Sequence, residues 1–352
     1  MGGLKFSDQP TVNARMKLRV GIIGLGEAWE TRHRPALRSL ADRFEVRAVC
    51  NEVALLAEQA ASEFNAQPVD GFRALAERPD IDAILILSPD WYGLLPIIAA
   101  CDAGKAVYCA AGLDIDIEQA RQLRDRVEQS GIAFMAEFPR RQAPATLRLK
   151  ELICTRLGKP RLLFCHQRRA VEKAGAARRN GKQPHSDTRE LMELVDWCRY
   201  VVGEEPTSVV GVRHAGPDGQ QADYHMMSLD FSPTDEPGMG ATAQISTGHY
   251  IPAYWHEAIS FRPPAALQVC CERGIAFVDL PATLTWFDEA GRHMESLDSE
   301  RPVGEQLLTL FHRGVTSLVR KISDLEDAYR ALQVVLAAKQ SFVERRRVDL
   351  EL

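Results

Sequence analysis

From Lys17 onward, short apolar runs alternate with stretches whose apolar positions recur every three to four residues, the pattern of strands interleaved with amphipathic helices. Leu18 to Ile23 is predicted as a first strand, Gly24-Leu25-Gly26 as a turn, and the residues that follow as a helix through Leu40. Further strands are predicted at Glu45 to Cys50, Ile81 to Leu87, Ala106 to Cys109 and Ile132 to Phe138, with helices at Ala54–Phe64, Gly93–Ala103 and Ile117–Gln129. Strand–helix alternation of this kind builds a parallel sheet with helices on both faces.

After Pro144 the regular alternation stops. A helix from Ala145 to Thr155 leads to strands at Leu162–Gln167, Ser208–Val212, Tyr224–Phe231, Ala241–Thr247 and Leu267–Phe277, with a helix near Glu190–Val202. Two helices, Glu305–Lys321 and Leu325–Glu344, close the chain. The expected fold is α/β: a polar tail over 1–16, a Rossmann-type dinucleotide-binding domain over 17–142, and an α+β domain over 143–352 with a largely antiparallel sheet.

Composition narrows the function. The 352 residues hold 43 Lys+Arg against 48 Asp+Glu, a formal charge of −5, which speaks against a nucleic-acid binder, because that role needs a concentrated positive face. With 45% hydrophobic residues the chain can build cores and is not generally disordered. No apolar run reaches the ~20 residues that cross a bilayer, and the opening stretch carries no apolar signal segment, so a cytoplasmic location is expected. Cysteines 50, 101, 109, 154, 165, 198, 270 and 271 show no zinc spacing and read as buried free thiols; the adjacent Cys270 and Cys271 point to opposite faces of a strand. No metal site is indicated.

Gly24-Leu25-Gly26-Glu27-Ala28-Trp29 is the dinucleotide fingerprint G-x-G-x-x-G with tryptophan at its last glycine. The first glycine makes the tight turn and the second lets backbone approach a pyrophosphate at a helix N-terminus. Trp29 must either displace the helix or project into the cofactor groove. At the end of the second strand, where a carboxylate would hold the adenosine ribose, stands Asn51. No arginine follows in Val53-Ala54-Leu55 to take a 2′-phosphate, so NAD is favoured over NADP. Asn51 could instead cap the next helix.

Several segments together carry a family resemblance: Gly21-Ile22-Ile23-Gly24-Leu25-Gly26, His33-Arg34-Pro35-Ala36-Leu37, Phe44 to Cys50, Ser88-Pro89-Asp90, Ala103 to Cys109, Arg141 with Pro144, and Ser323 to Ala328. In order and spacing the chain resembles the glucose-fructose oxidoreductase / inositol dehydrogenase / rhizopine catabolism (Gfo/Idh/MocA) family. The resemblance implies a Rossmann domain, with Gly24, Gly26, Asn51, Ser88 and Pro89 at the cofactor. It also implies an open-sheet second domain whose exposed face makes a homo-oligomer.

The family's catalytic groups are not matched. Where the family has Glu-Lys-Pro, with its lysine beside the nicotinamide and the reacting hydroxyl, this chain has Ala110-Ala111-Gly112. The family pattern Asp-x-Gly-x-His-x-x-Asp falls on Arg189, Leu191, Glu193 and Asp196, so only the last aspartate agrees. Another family histidine corresponds to Gly93.

Glu193 is the candidate base if burial raises its pKa, and Tyr108 a second candidate acid–base group; Arg189, one turn before Glu193, could orient a substrate anion, or the two could form a surface ion pair. Arg141, Arg189 and Asp196 are substrate-cleft candidates, joined by Asp114, His166, Arg168, His249, Tyr250 and His256. The cations from Arg168 to Lys182 could attract an anionic ligand or form a solvated loop. The expectation is a member without the family's lysine, aspartate and histidine, which binds a nucleotide or carbohydrate-like ligand with little or no ordinary dehydrogenase activity. The alternatives are an active NAD(P)-dependent enzyme on a sugar, polyol or sugar acid with a relocated acid–base group, or a non-catalytic partner subunit.

Overall fold

The computed structural model describes residues 17–26, 28–88, 92–110, 115–171, 187–215, 222–252, 254–298, 300–317 and 324–351. The first sheet contains β1 (Leu18–Ile23), β2 (Phe44–Cys50), β3 (Gln67–Pro68), β4 (Ala83–Ile86), β5 (Ala106–Cys109) and β6 (Phe134–Ala136). Their spatial order is β3-β2-β1-β4-β5-β6 and every neighbouring pair is parallel. Order reverses between β1 and β4, and ligands bind such sheets in the crevice beyond the strand carboxyl ends at that point. β4 and the Val20–Ile23 part of β1 are buried on both faces, which explains their apolar runs.

Helices α1 (Arg34–Ser39), α2 (Ala54–Glu63), α3 (Phe72–Ala76), α4 (Leu95–Asp102) and α5 (Ile117–Ser130) cover this sheet. Asp116 caps α5 by accepting from the Gln119 N–H at 2.8 Å, and Gly131, with φ 64°, ends it in a left-handed conformation. The predicted helix through Leu40 is not uniform: its first turn, Trp29–His33, is π-helical, with the Arg34 N–H reaching the Trp29 carbonyl.

The second sheet runs β14-β13-β12-β11-β7-β10-β9-β8-β15. Its strands are β7 (Pro160–Val171), β8 (Ser208–Ala215), β9 (Ala222–Asp230), β10 (Thr242–Pro252), β11 (Leu267–Cys271), β12 (Ile275–Asp279), β13 (Thr283–Asp288), β14 (Gly291–Ser296) and β15 (Val348–Asp349). Only β7 and β10 pair in parallel. Helices α6 (Pro144–Leu152), α7 (Asp187–Val202) and α10 (Asp324–Glu344) contribute to the core on one face, and the short α8 (His256–Ser260) follows β10. Alternation is plain on β7 and β8: Leu163, Cys165 and Val209 point into that core, whereas Leu162, Val210 and Val212 are exposed.

The predicted single strand Leu267–Phe277 is a hairpin, turned at Glu272-Arg273-Gly274, where the Cys271 N–H bonds the Gly274 carbonyl. β13 and β14 escape the pattern reading: both are short, and exposed apolar side chains, Phe287 and Met294, break the alternation of buried apolar and exposed polar positions. Helix α9 (Val303–Thr316) returns to the first sheet, placing Leu307, Leu308 and Phe311 in a cluster with Val20, Ile22 and Tyr108. All eight cysteines are free thiols; Cys154 is exposed and Cys270 and Cys271 half-buried, so the expectation of burial holds for the other five. No helix among the described residues is long and apolar enough to cross a membrane.

Candidate active site

The turn after β1 is shaped by contacts that side chains would block. Gly24 has φ +73°, and a Cβ there would lie 2.4 Å from the Ser88 Cβ; a Cβ on Gly26 would lie 2.0 Å from the Leu87 carbonyl oxygen. The turn therefore presses against the end of β4, and Ser88 is buried beside it. Asn51 does not cap α2, whose N-cap is Val53 with no side-chain bond. Its Oδ1 instead accepts from the Leu25 N–H at 3.0 Å, tying the end of β2 to the glycine turn. Trp29 is 6% exposed, meets Phe64 edge-on at 6.0 Å and joins the core beneath α1. The wide π-turn accompanies this burial: the indole displaces the helix start and leaves the crevice unfilled.

Tyr108 is fully buried, and its hydroxyl donates to Glu137 Oε2 at 2.9 Å. That placement corrects the idea of a cleft-facing phenol: the side chain lies in the core against Phe311 and His33. His33 Nε2 meets the same Glu137 oxygen at 2.8 Å, and Arg32 pairs with Glu137 Oε1. Glu137 and His33 are 2% and 1% exposed. Burial, helped by the Arg32 charge, pushes the His33 imidazole down to about 3. With Arg32 balancing the carboxylate, His33 stays neutral and donates through Nε2–H; among the described residues Nδ1 has no hydrogen-bond partner. The sequence reading missed Glu137, whose signal was a lone charge inside the apolar run Ile132–Phe138.

That depression has a measurable consequence. Between pH about 3 and 6.5 the unfolded chain binds a proton at His33 that the native state refuses, so stability falls as pH drops below 6.5. His33 should account for about 2 kcal/mol of the loss between pH 7 and pH 5. His33→Gln retains a donor for Glu137 but cannot titrate, so urea midpoints at the two pH values should converge by about that amount. Equal losses in both proteins would refute the assignment.

On α7, Glu193 is partly exposed and its Oε2 lies 3.7 Å from Arg140 Nε. Arg140 also donates to the Gln167 side chain at 3.2 Å and stacks over Trp197. Burial pulls Arg32 down, opposed by Tyr108 and by the nearby charge of Glu193 and reinforced by Arg189, which brings the turn after the glycine loop and α7 into one electrostatic neighbourhood. Arg141 and Asp196, both expected at the substrate, engage each other instead. Arg141 Nε bonds Asp196 Oδ2 at 2.6 Å, its Nη2 bonds Oδ1, and its Nη1 bonds Asp327 at 2.7 Å. Asp196 is 1% exposed; burial pushes its carboxyl up to about 7, against the pull of Arg141 and Arg199.

The remaining candidates scatter. His166 Nδ1 meets Ser246 Oγ at 2.8 Å, and burial lowers its pKa. Arg168 donates to the Phe261 carbonyl and Tyr250 packs edge-on to Tyr224. His249 lies 3.7 Å from Glu190, a buried carboxylate that Arg169 and Thr247 also approach. Pro89, Ala111, Gly112, Asp114 and the cations from Lys173 to Lys182 lie outside the described residues, as do the 1–16 tail and the His256 side chain. Among the described residues no group of three or more His, Cys, Asp or Glu is placed to hold a metal.

Residues 18–138 match the family model described as GFO/IDH/MocA, oxidoreductase family, NAD-binding Rossmann fold. An inositol 2-dehydrogenase of Rhizobium meliloti is 27% identical over 61% of this chain and 64% of its own length. A dTDP-3,4-didehydro-2,6-dideoxy-alpha-D-glucose 3-reductase of Actinomadura kijaniata is 32% identical over 34% of this chain and 36% of its own length. The matched stretches thus span less than two thirds of these relatives. An aldose-aldose oxidoreductase from Caulobacter crescentus, solved with glycerol, superposes at a TM-score of 0.80 with 16% identity, covering 95% of this chain and 100% of that one. An oxidoreductase from Thermotoga maritima gives 0.78 with 18% identity over 95% and 98%. At these identities the structural likeness establishes the fold.

Proposed function

We propose that this chain is a Gfo/Idh/MocA oxidoreductase, the family whose model matches residues 18–138, and that it oxidises or reduces a polyhydroxylated carbohydrate with NAD, using Glu193 as its proton-handling group. What carries the reading is the approach of Arg140 to Glu193 at 3.7 Å, which sets a carboxylate and a guanidinium together at the position where the family pattern has histidine. Inositol 2-dehydrogenase among the relatives supports a polyol or sugar as the substrate class.

The residues present fit a dinucleotide. Gly24 and Gly26 lack side chains at the crevice, Asn51 fixes the turn, and the bulky residue of the fingerprint is turned into the core. A bound nicotinamide would accept two electrons as hydride from the carbinol carbon. Glu193 takes the hydroxyl proton as the C–O bond becomes a carbonyl, and returns it in the opposite direction. Arg140, 3.7 Å away, orients the carboxylate between turnovers. The exposed Leu162, Val210 and Val212 support association of two copies through the second sheet.

A second reading, binding without turnover, draws support from Ala110-Ala111-Gly112 and Gly93, where the chain offers no titratable side chain. Titrating NADH by fluorescence and assaying NAD reduction over myo-inositol, aldoses, polyols and sugar acids separates the two. The first reading expects saturable binding and turnover, with kcat reduced about 10²–10⁴-fold in Glu193→Gln at unchanged NADH affinity. Binding with no turnover supports the second, and no saturable signal removes both, leaving a partner-subunit role.

A further inference from the structure

The buried cluster around Glu137 stands at the carboxyl ends of β5 and β6, where a ligand of this fold would lie. The Glu137 N–H bonds the Cys109 carbonyl at 2.9 Å, which sets Glu137 level with Ala110 at the end of β5. Four side chains meet there: Tyr108, His33, Arg32 and Glu137. Burial separates their roles. Tyr108, His33 and Glu137 are at most 2% exposed and cannot touch a ligand without rearrangement. Arg32 retains 29% of its side-chain exposure while anchored to Glu137.

Taking the hydroxyl proton from a carbinol, or delivering hydride to a carbonyl, concentrates negative charge on oxygen, and a fixed cation or donor aimed there lowers the barrier. Glu193 can move the proton but adds negative charge of its own. We infer that Arg32, held in place by the buried Glu137, is the cation that faces the reacting oxygen in this cleft, a further catalytic residue paired with Glu193. This rests on the oxidoreductase reading above. The electrostatic influence of Glu193 and Arg189 on Arg32 agrees with this placement. Tyr108 and His33 then act as positioning residues, since both donate to the carboxylate that anchors the guanidinium. A guanidinium also suits this task because it stays charged through the working pH range and can offer one N–H to Glu137 and another to the substrate.

The test compares wild type with Arg32→Lys, Arg32→Met and the double variant Arg32→Met/Glu137→Gln, in which no buried carboxylate is left unpaired. NADH binding is read by fluorescence, and kcat, KM and the pH profile with the best substrate of the carbohydrate panel. Expected are NADH affinity within about threefold of wild type, and kcat down about 10²–10³-fold in both methionine variants, as for loss of one oxyanion donor. Arg32→Lys should recover at least about tenfold of that loss. A double variant that binds NADH and keeps kcat within about threefold overturns the inference alone. So does a selective collapse of NADH affinity with kcat at saturation intact. Wild type that binds NADH and turns over nothing overturns the oxidoreductase reading, and this inference with it.

Discussion

Replacing Arg141 by methionine should destabilise the protein by about 3–5 kcal/mol while leaving NADH affinity within about threefold of wild type. The loss follows from what Arg141 leaves behind. Asp196 is almost wholly buried and receives two hydrogen bonds from Arg141, with Arg199 more distant at 3.7 Å. Breaking such a pair strands a carboxylate in a medium that cannot solvate it, and the native state must hold the charge or bind a proton. Burial already pushes Asp196 up to about 7, and loss of Arg141 pushes it higher. A carboxyl whose native pKa exceeds its unfolded value binds more protons when folded, so the variant loses stability as pH rises through that native value. Urea denaturation should therefore show a larger deficit at pH 8 than at pH 6. Arg141→Met with Asp196→Leu, which removes both charges, should recover most of the loss. If Arg141 serves the substrate instead, the single variant will keep its stability and raise KM.

The same pair shows where sequence reading stops. Arg141 and Asp196 lie 55 positions apart, and nothing in their spacing says that they close on each other rather than open toward a ligand. Periodicity located the parallel sheet because Val20–Ile23 and Ala83–Ile86 are apolar on both faces, a property that a doubly covered strand needs. It missed β13 and β14, where exposed Phe287 and Met294 blur the alternation of apolar and polar positions. Glycine chemistry located the turn, since Gly24 and Gly26 are required by backbone contacts that can be anticipated. The role of Asn51 was half legible: a polar side chain at the end of β2 was expected to matter, but its bond to the Leu25 N–H depends on how the two strand ends meet. Glu137 was the hardest. Its partners come from the turn after β1, from β5 and from its own strand end, and only the folded sheet brings Arg32, His33 and Tyr108 to one carboxylate.

Restoring the third glycine of the fingerprint offers the sharpest contrast between motif and structure: Trp29→Gly should weaken the protein by about 3–5 kcal/mol and should not tighten NADH binding. As a motif, the change looks like a repair, because glycine there normally lets the helix lie close against the strands. In this fold the indole is 6% exposed, rests on Phe64 and shares its cluster with Leu18, Val20 and Ile22. Deleting it opens a void in a core that cannot collapse without moving α1, and a glycine at the first position of a turn adds up to about 1 kcal/mol of backbone entropy. The π-helical step at Trp29–His33 sets the phase of Arg32 and His33 around the axis. Relaxing it to a regular α-helix would rotate both away from Glu137, so the variant should also lose part of the His33 pH dependence. Thermal and urea unfolding with parallel NADH titration would decide the matter. A variant as stable as wild type, or one that binds NADH tenfold or more tightly, would mean that the indole occupies the cofactor groove after all.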